Sequence, residues 1–96
     1  MASYKLTEEA RDDLRDIYRY GVTQHGQTQA DEYYDGLMDK FQYIAENPNF
    51  YQAVDYIRKT YRRCVYGEHS IFYRIIGNDV EIMTIIRAQN LPDKLQ

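Results

Sequence analysis

Ala10, Leu14, Ile17, Tyr18 and Gly21 recur at i, i+4, i+7, i+8 and i+11, while Arg11, Asp12, Arg15, Asp16 and Arg19 fall mostly outside that stripe. This spacing predicts an amphipathic helix. Thr7 precedes it as an N-cap, Glu8 and Glu9 lie where the helix dipole favours negative charge, and Gly26 after His25 predicts its end. A second apolar face follows at helical spacing: Ala30, Tyr33, Tyr34, Leu37, Met38, Phe41, Ile44 and Ala45. Thr28-Gln29-Ala30-Asp31 reads as its capping box, with Asp in place of Glu, and Asn47-Pro48 ends it. Two helices separated by only two or three residues must fold back as an antiparallel hairpin.

Around these helices the period changes to that of strands. Tyr4-Lys5-Leu6-Thr7 alternates like a short edge strand. Residues 49–61 hold no sustained period and read as a loop, with an extended piece expected at Tyr56-Ile57-Arg58. Strands are predicted over 62–66, 69–76 and 80–87, separated by the tight turns Gly67-Glu68 and Gly77-Asn78. The order predicts one α+β domain over residues 1–96, a helical hairpin packed on a small antiparallel sheet after a short N-terminal strand. Simple alternation sets Ile71, Tyr73 and Ile75 on one face and Ser70, Phe72, Arg74 and Ile76 on the other. In the last strand it sets Val80, Ile82 and Ile86 against Met83 and Ile85. The hairpin can cover one face, so the apolar residues of the second are expected to receive a partner; cover by loop 49–61 and the tail is the alternative.

Composition narrows the function classes. The chain is 44% hydrophobic and 28% charged, with eleven Tyr and no Trp, an ordinary globular balance. No apolar run approaches the roughly 20 residues that cross a bilayer, and the start of the chain lacks a signal-peptide core, so a cytoplasmic protein without membrane association is expected. Cys64, the single cysteine, can form no intrachain disulfide and reads as a buried filler within a strand. Residues 1–48 carry five Lys and Arg against ten Asp and Glu, net −5; residues 49–96 carry seven against five, net +2. That is not a general nucleic-acid binder. His25 and His69 stand at no zinc-like spacing from Cys64, and neither a phosphate-cradling Gly loop nor a nucleophile–base motif occurs, so no metal and no cofactor are expected. His69, next to Glu68 and among Arg62, Arg63 and Arg74, has the chemistry of an acid–base group; a structural role, hydrogen-bonding a turn or lining an interface, is the favoured reading. Tyr18, Tyr33 and Tyr34 are assigned to the core, whereas spacing gives no role to Tyr61 and Tyr66.

Several strings resemble the RelE/ParE toxin superfamily, its ParE branch above all. They are Leu6-Thr7 with Ala10 and Asp13-Leu14; His25-Gly26 with Gln29-Ala30 and Tyr33; Glu46-Asn47-Pro48; Ile57-Arg58; Tyr61-Arg62-Arg63; residues 67–74; Val80-Glu81-Ile82; and Ile85-Ile86. The resemblance implies a toxin of a type II toxin–antitoxin system that inhibits DNA gyrase without catalysis and is neutralised by a ParD-like antitoxin, with nucleic acid met only inside those complexes. RelE-like ribosome-dependent cleavage of mRNA is the enzymatic alternative, and a non-toxic interaction module is the second. The RelE branch places arginines, lysines and a C-terminal tyrosine on the open sheet face; aligned to it, Ser70 and Asn90 stand where key arginines are expected and Gln96 where the tyrosine is, and none of the three can act on a phosphodiester as those would. Two further departures are Phe50-Tyr51, where the family often has Gly, and the stretch from Ile86 to Asp93. Arg58, Arg62, Arg63, His69, Phe72, Arg74 and Arg87 are the residues expected to contact antitoxin or target, and Arg62, Arg63, Arg74 and Arg87 are expected to share a basic patch. Solvated charge that blunts edge pairing is the simpler reading of these arginines.

Overall fold

The computed structural model describes residues 2–87. Their elements run β1 (Tyr4–Leu6), α1 (Glu8–His25), α2 (Gln27–Glu46), β2 (Gln52–Ala53), β3 (Arg62–Tyr66), β4 (His69–Ile76) and β5 (Asp79–Arg87). The sheet order is β1-β5-β4-β3-β2. From β2 to β5 all pairings are antiparallel, while β1 adds to β5 in parallel, with Tyr4 beside Val80 and Leu6 beside Ile82. The sheet is therefore mixed, with its edges formed by strands of three and two residues.

Thr7 caps α1 as expected, its Oγ1 accepting from the Ala10 N–H at 3.0 Å. The second helix departs from expectation. It begins at Gln27, and the junction is Gly26 alone, whose N–H bonds the Val22 carbonyl while its own carbonyl accepts from Ala30. At φ +89 the residue adopts a conformation open to glycine, so one position ends one helix and starts the next. No side-chain cap forms, which overturns the capping box at Thr28. The extended piece also moves: it is Gln52–Ala53, paired with Arg63 and Arg62, whereas residues 54–60 form turns.

Packing follows from a bulge. Tyr73 pairs with Ile82 but Phe72 pairs with Thr84, so Met83 is an extra residue in β5. The insertion puts Ile85 with Val80, Ile82, Ile71, Tyr73 and Cys64 in the core beneath the helices, where Leu14, Leu37, Phe41 and Ile44 meet them. Ile86 goes instead to the other face with Phe72. This reverses the expected facing of Ile85 and Ile86, since one added residue flips everything after it. Tyr73 is fully buried, its hydroxyl donating to the Pro48 carbonyl at 2.6 Å, and burial pushes its pKa up to about 12.

The second face is covered by the chain itself. Val54, Ile57 and Tyr61 fold over Phe72 and Ile86, which are 0% and 3% exposed. Loop 49–61 thus forms a small second core, and among the described residues Val65 and Ile76 are the large apolar side chains that the strands leave exposed on this face.

Candidate functional site

The bulge is held by α1. A bulge leaves backbone groups without ladder partners, and such groups need others when buried. Thr7 Oγ1 donates to the Met83 carbonyl at 2.8 Å, and buried Asp13 Oδ2 accepts from Thr84 Oγ1 at 2.7 Å and from the Ile85 N–H at 3.0 Å. Asp13 lies three residues after Ala10 and four before Ile17, on the buried stripe of α1; a carboxylate at that spacing was the signal available in the sequence.

At the hairpin end of the sheet, Tyr33 and His69 meet. The Tyr33 hydroxyl donates to the Tyr66 carbonyl at 3.0 Å, so its oxygen accepts from His69 Nδ1 at 2.7 Å, and the ring carries its proton there. Burial, then the nearby Arg87 guanidinium, lower the His69 pKa, with Glu68 and Asp13 opposing them. The Tyr66 ring packs on Tyr33 at 5.2 Å and its hydroxyl lies on Gly36 of α2, where a Cβ would overlap it. This gives Tyr66 its role, as stacking on Phe72 at 6.4 Å gives one to Tyr61. His69, Arg87 and Glu68 then border a cavity of about 280 Å³ walled by Tyr18, Tyr20 and Tyr33. Beside it a wider open groove of about 710 Å³ runs along the hairpin, lined by Leu6, Arg11, Leu14, Arg15, Tyr18, Arg19, Asp31 and Tyr34.

The four arginines do not make one patch. Cross-strand partners share a face, so Arg62 (opposite Tyr73) and Arg87 (opposite His69) belong to the helix side, while Arg63 (opposite Phe72) and Arg74 belong to the other. Arg62 and Arg87 flank β4 on opposite sides and are offset by four of its residues, roughly 13 Å along the strand. Each has local work. Arg62 donates to the Tyr51 carbonyl at 2.7 Å, Arg63 to Ser70 Oγ at 2.9 Å, and Arg74 pairs with Glu81 at 2.8 Å. Arg87 lies 3.7 Å from Glu68 and stacks over Tyr20, while Arg58 stacks over Tyr61. Phe72 is wholly buried and offers no contact surface, and His69 is 8% exposed. Cys64 is buried, and burial raises its thiol pKa, as befits a filler. Among the described residues no helix is long and apolar enough to cross a membrane, and no three potential metal ligands cluster.

The sequence itself matches a family model. Residues 4–92 match the model described as the ParE toxin of the type II toxin–antitoxin system, parDE. The chain belongs to the ParE toxin family. Toxin ParE1 of Caulobacter vibrioides is 38% identical over 86 residues, covering 90% of this chain and 88% of that protein. Toxin ParE1 of Mycobacterium tuberculosis is 34% identical over 87 residues, covering 90% and 89%. A solved structure of the chromosomal ParDE toxin–antitoxin system from P. aeruginosa shares the fold, with a TM-score of 0.77 at 22% identity over 91% of this chain and 96% of that one. Within the ParE frame, the Phe50-Tyr51 departure forms an aromatic corner with Tyr43, the rings 5.1 to 6.4 Å apart and Phe50 largely exposed. The departure after Arg87, including Asn90 and Gln96, lies outside the described residues.

Proposed function

We propose that this ParE-family toxin acts by binding, as a non-catalytic inhibitor of DNA gyrase in the cytoplasm, and that a ParD-like antitoxin neutralises it. One observation carries the non-catalytic reading: the groups that RNA chemistry would recruit on the sheet are already engaged. Arg63 is bound to Ser70, itself buried where the RelE branch places an arginine, and His69 is tied to Tyr33. A general base must reach its proton and a cation its phosphate, which these commitments oppose. The antitoxin reading is supported by family membership and by the fold shared with the P. aeruginosa ParDE system. Arg58, Arg62, Arg63, Arg74 and Arg87 remain proposed contacts, while His69 and Phe72 would act through packing.

The test uses the purified chain with DNA gyrase and supercoiled plasmid, beside a translating extract in which mRNA ends are mapped. Stabilised gyrase–DNA breaks without new mRNA ends are expected. Cleavage of mRNA at ribosomal A sites would instead establish an endoribonuclease. Normal growth on expression without antitoxin, with neither effect in vitro, would leave a non-toxic interaction module.

A further inference from the structure

We infer that the cavity bordered by His69 binds a small, neutral, planar aromatic molecule carrying one N–H or O–H donor, with His69 Nε2 as the acceptor. Such a site is independent of what the toxin poisons. His69 is 8% exposed and lines this cavity. Its Nδ1 is committed to the Tyr33 hydroxyl at 2.7 Å, which leaves Nε2 of the neutral ring with a lone pair. Burial and Arg87 outweigh Glu68 and Asp13 and keep that ring neutral. Among the described residues nothing bonds Nε2, and no fully buried side-chain nitrogen or oxygen lacks a partner. Nε2 therefore has free surface, which the cavity beside its ring supplies. An acceptor in so enclosed a place calls for a donor.

The rest of the cavity sets the class of molecule. Its tyrosine walls offer ring carbon, because their polar ends are taken: Tyr18 donates to Asp31 at 2.6 Å and Tyr33 to the Tyr66 carbonyl at 3.0 Å. Gly21 and Ala30 are also among the lining residues, and a Cβ on Gly21 would stand 3.3 Å from the Ala30 Cβ, so the two helices close together there. Water suits this space poorly, since a buried water makes about three hydrogen bonds and ring carbon offers none. At about 280 Å³ the cavity lies near the lower bound of roughly 300 Å³ for ligand pockets, room for one or two fused rings. Charge argues for a neutral occupant. Arg87 and Glu68 border the cavity together, 3.7 Å apart, so an anion would meet the carboxylate and a cation the guanidinium. A flat ring gains stacking area against Tyr20 and Tyr33, and its single donor answers Nε2.

The experiment titrates the full chain with indole and with indene, its isostere without the N–H, by calorimetry and by the unfolding midpoint. Only the folded chain holds the cavity, so a bound ligand raises the midpoint. Expected are a rise with indole and binding of indene weaker by roughly fivefold, the worth of one hydrogen bond. In His69→Gln one amide replaces two ring nitrogens and cannot serve both Tyr33 and the ligand, so the preference for indole should shrink to within about twofold. Tyr20 is half-exposed, and Tyr20→Ala removes one wall, which should weaken both ligands at least about threefold. The comparison of indole with indene needs no variant, so it stands even where His69→Gln does not fold. Absence of binding to the wild type, or equal binding of the two ligands, would overturn the inference. So would indole binding that neither variant changes, because the ligand would then sit elsewhere on the surface.

Discussion

Asp13 is one carboxylate whose loss should be felt across the sheet. Its Oδ2 takes a hydroxyl and a backbone N–H, both buried, from consecutive residues of β5. Asp13→Ala strands both donors, and we expect a loss of about 2–4 kcal/mol by urea denaturation. His69 makes a different prediction. Its folded pKa lies below the ordinary imidazole range, so the unfolded chain takes up a proton that the folded one resists. Stability from this site is complete above the unfolded value of about 6.5 and falls as pH drops through it toward the lowered value. Denaturation curves at about pH 7.5 and 5 should show that component in wild type and not in His69→Gln. Of these residues, the sequence marked His69 as structural but left Asp13 inside a family string. A carboxylate on a core stripe is legible; the two donors it serves are 71 and 72 residues away and are not.

At the scale of elements, the helices, the meander and the Thr7 cap were readable because each rests on neighbours in sequence. The failures share a non-local cause. Nothing in the apolar run of β5 announces Met83 as an insertion, because the bulge is decided by register against β4 and by donors and acceptors on α1. Likewise Val54, Ile57 and Tyr61 have no strand or helix period, yet they close over Phe72 and Ile86, so the face that simple alternation left open is largely shut. The contact of α2 with β3 is as specific. Gly36 leaves room for the Tyr66 hydroxyl, so Gly36→Ala, stabilising in an ordinary helix, should cost about 1–3 kcal/mol here by thermal or urea unfolding. Adding Tyr66→Phe should recover part of that loss, since the overlap is worst at the hydroxyl oxygen.

For the whole molecule, charge and topology divide the work. The candidate contacts on the sheet are mostly tied to neighbouring side chains and backbone, whereas Arg11, Arg15 and Arg19 stand exposed on the helical hairpin, outside its apolar stripe. Removing β1 should therefore harm more than a terminal truncation usually does: deletion of residues 2–6 should leave β5 with an open edge and lower the unfolding midpoint while α1 and α2 persist by circular dichroism. The pairing of β1 with β5 also orders events in time. Tyr4 meets Val80, so β1 has no partner until β5 has been made. Closing a loop of that length is a late step, and local elements form before it. A nascent chain carrying only the helical hairpin exposes Leu37, Phe41 and Ile44 with no sheet to cover them. Synthesis must therefore run to β5 before the native surface exists.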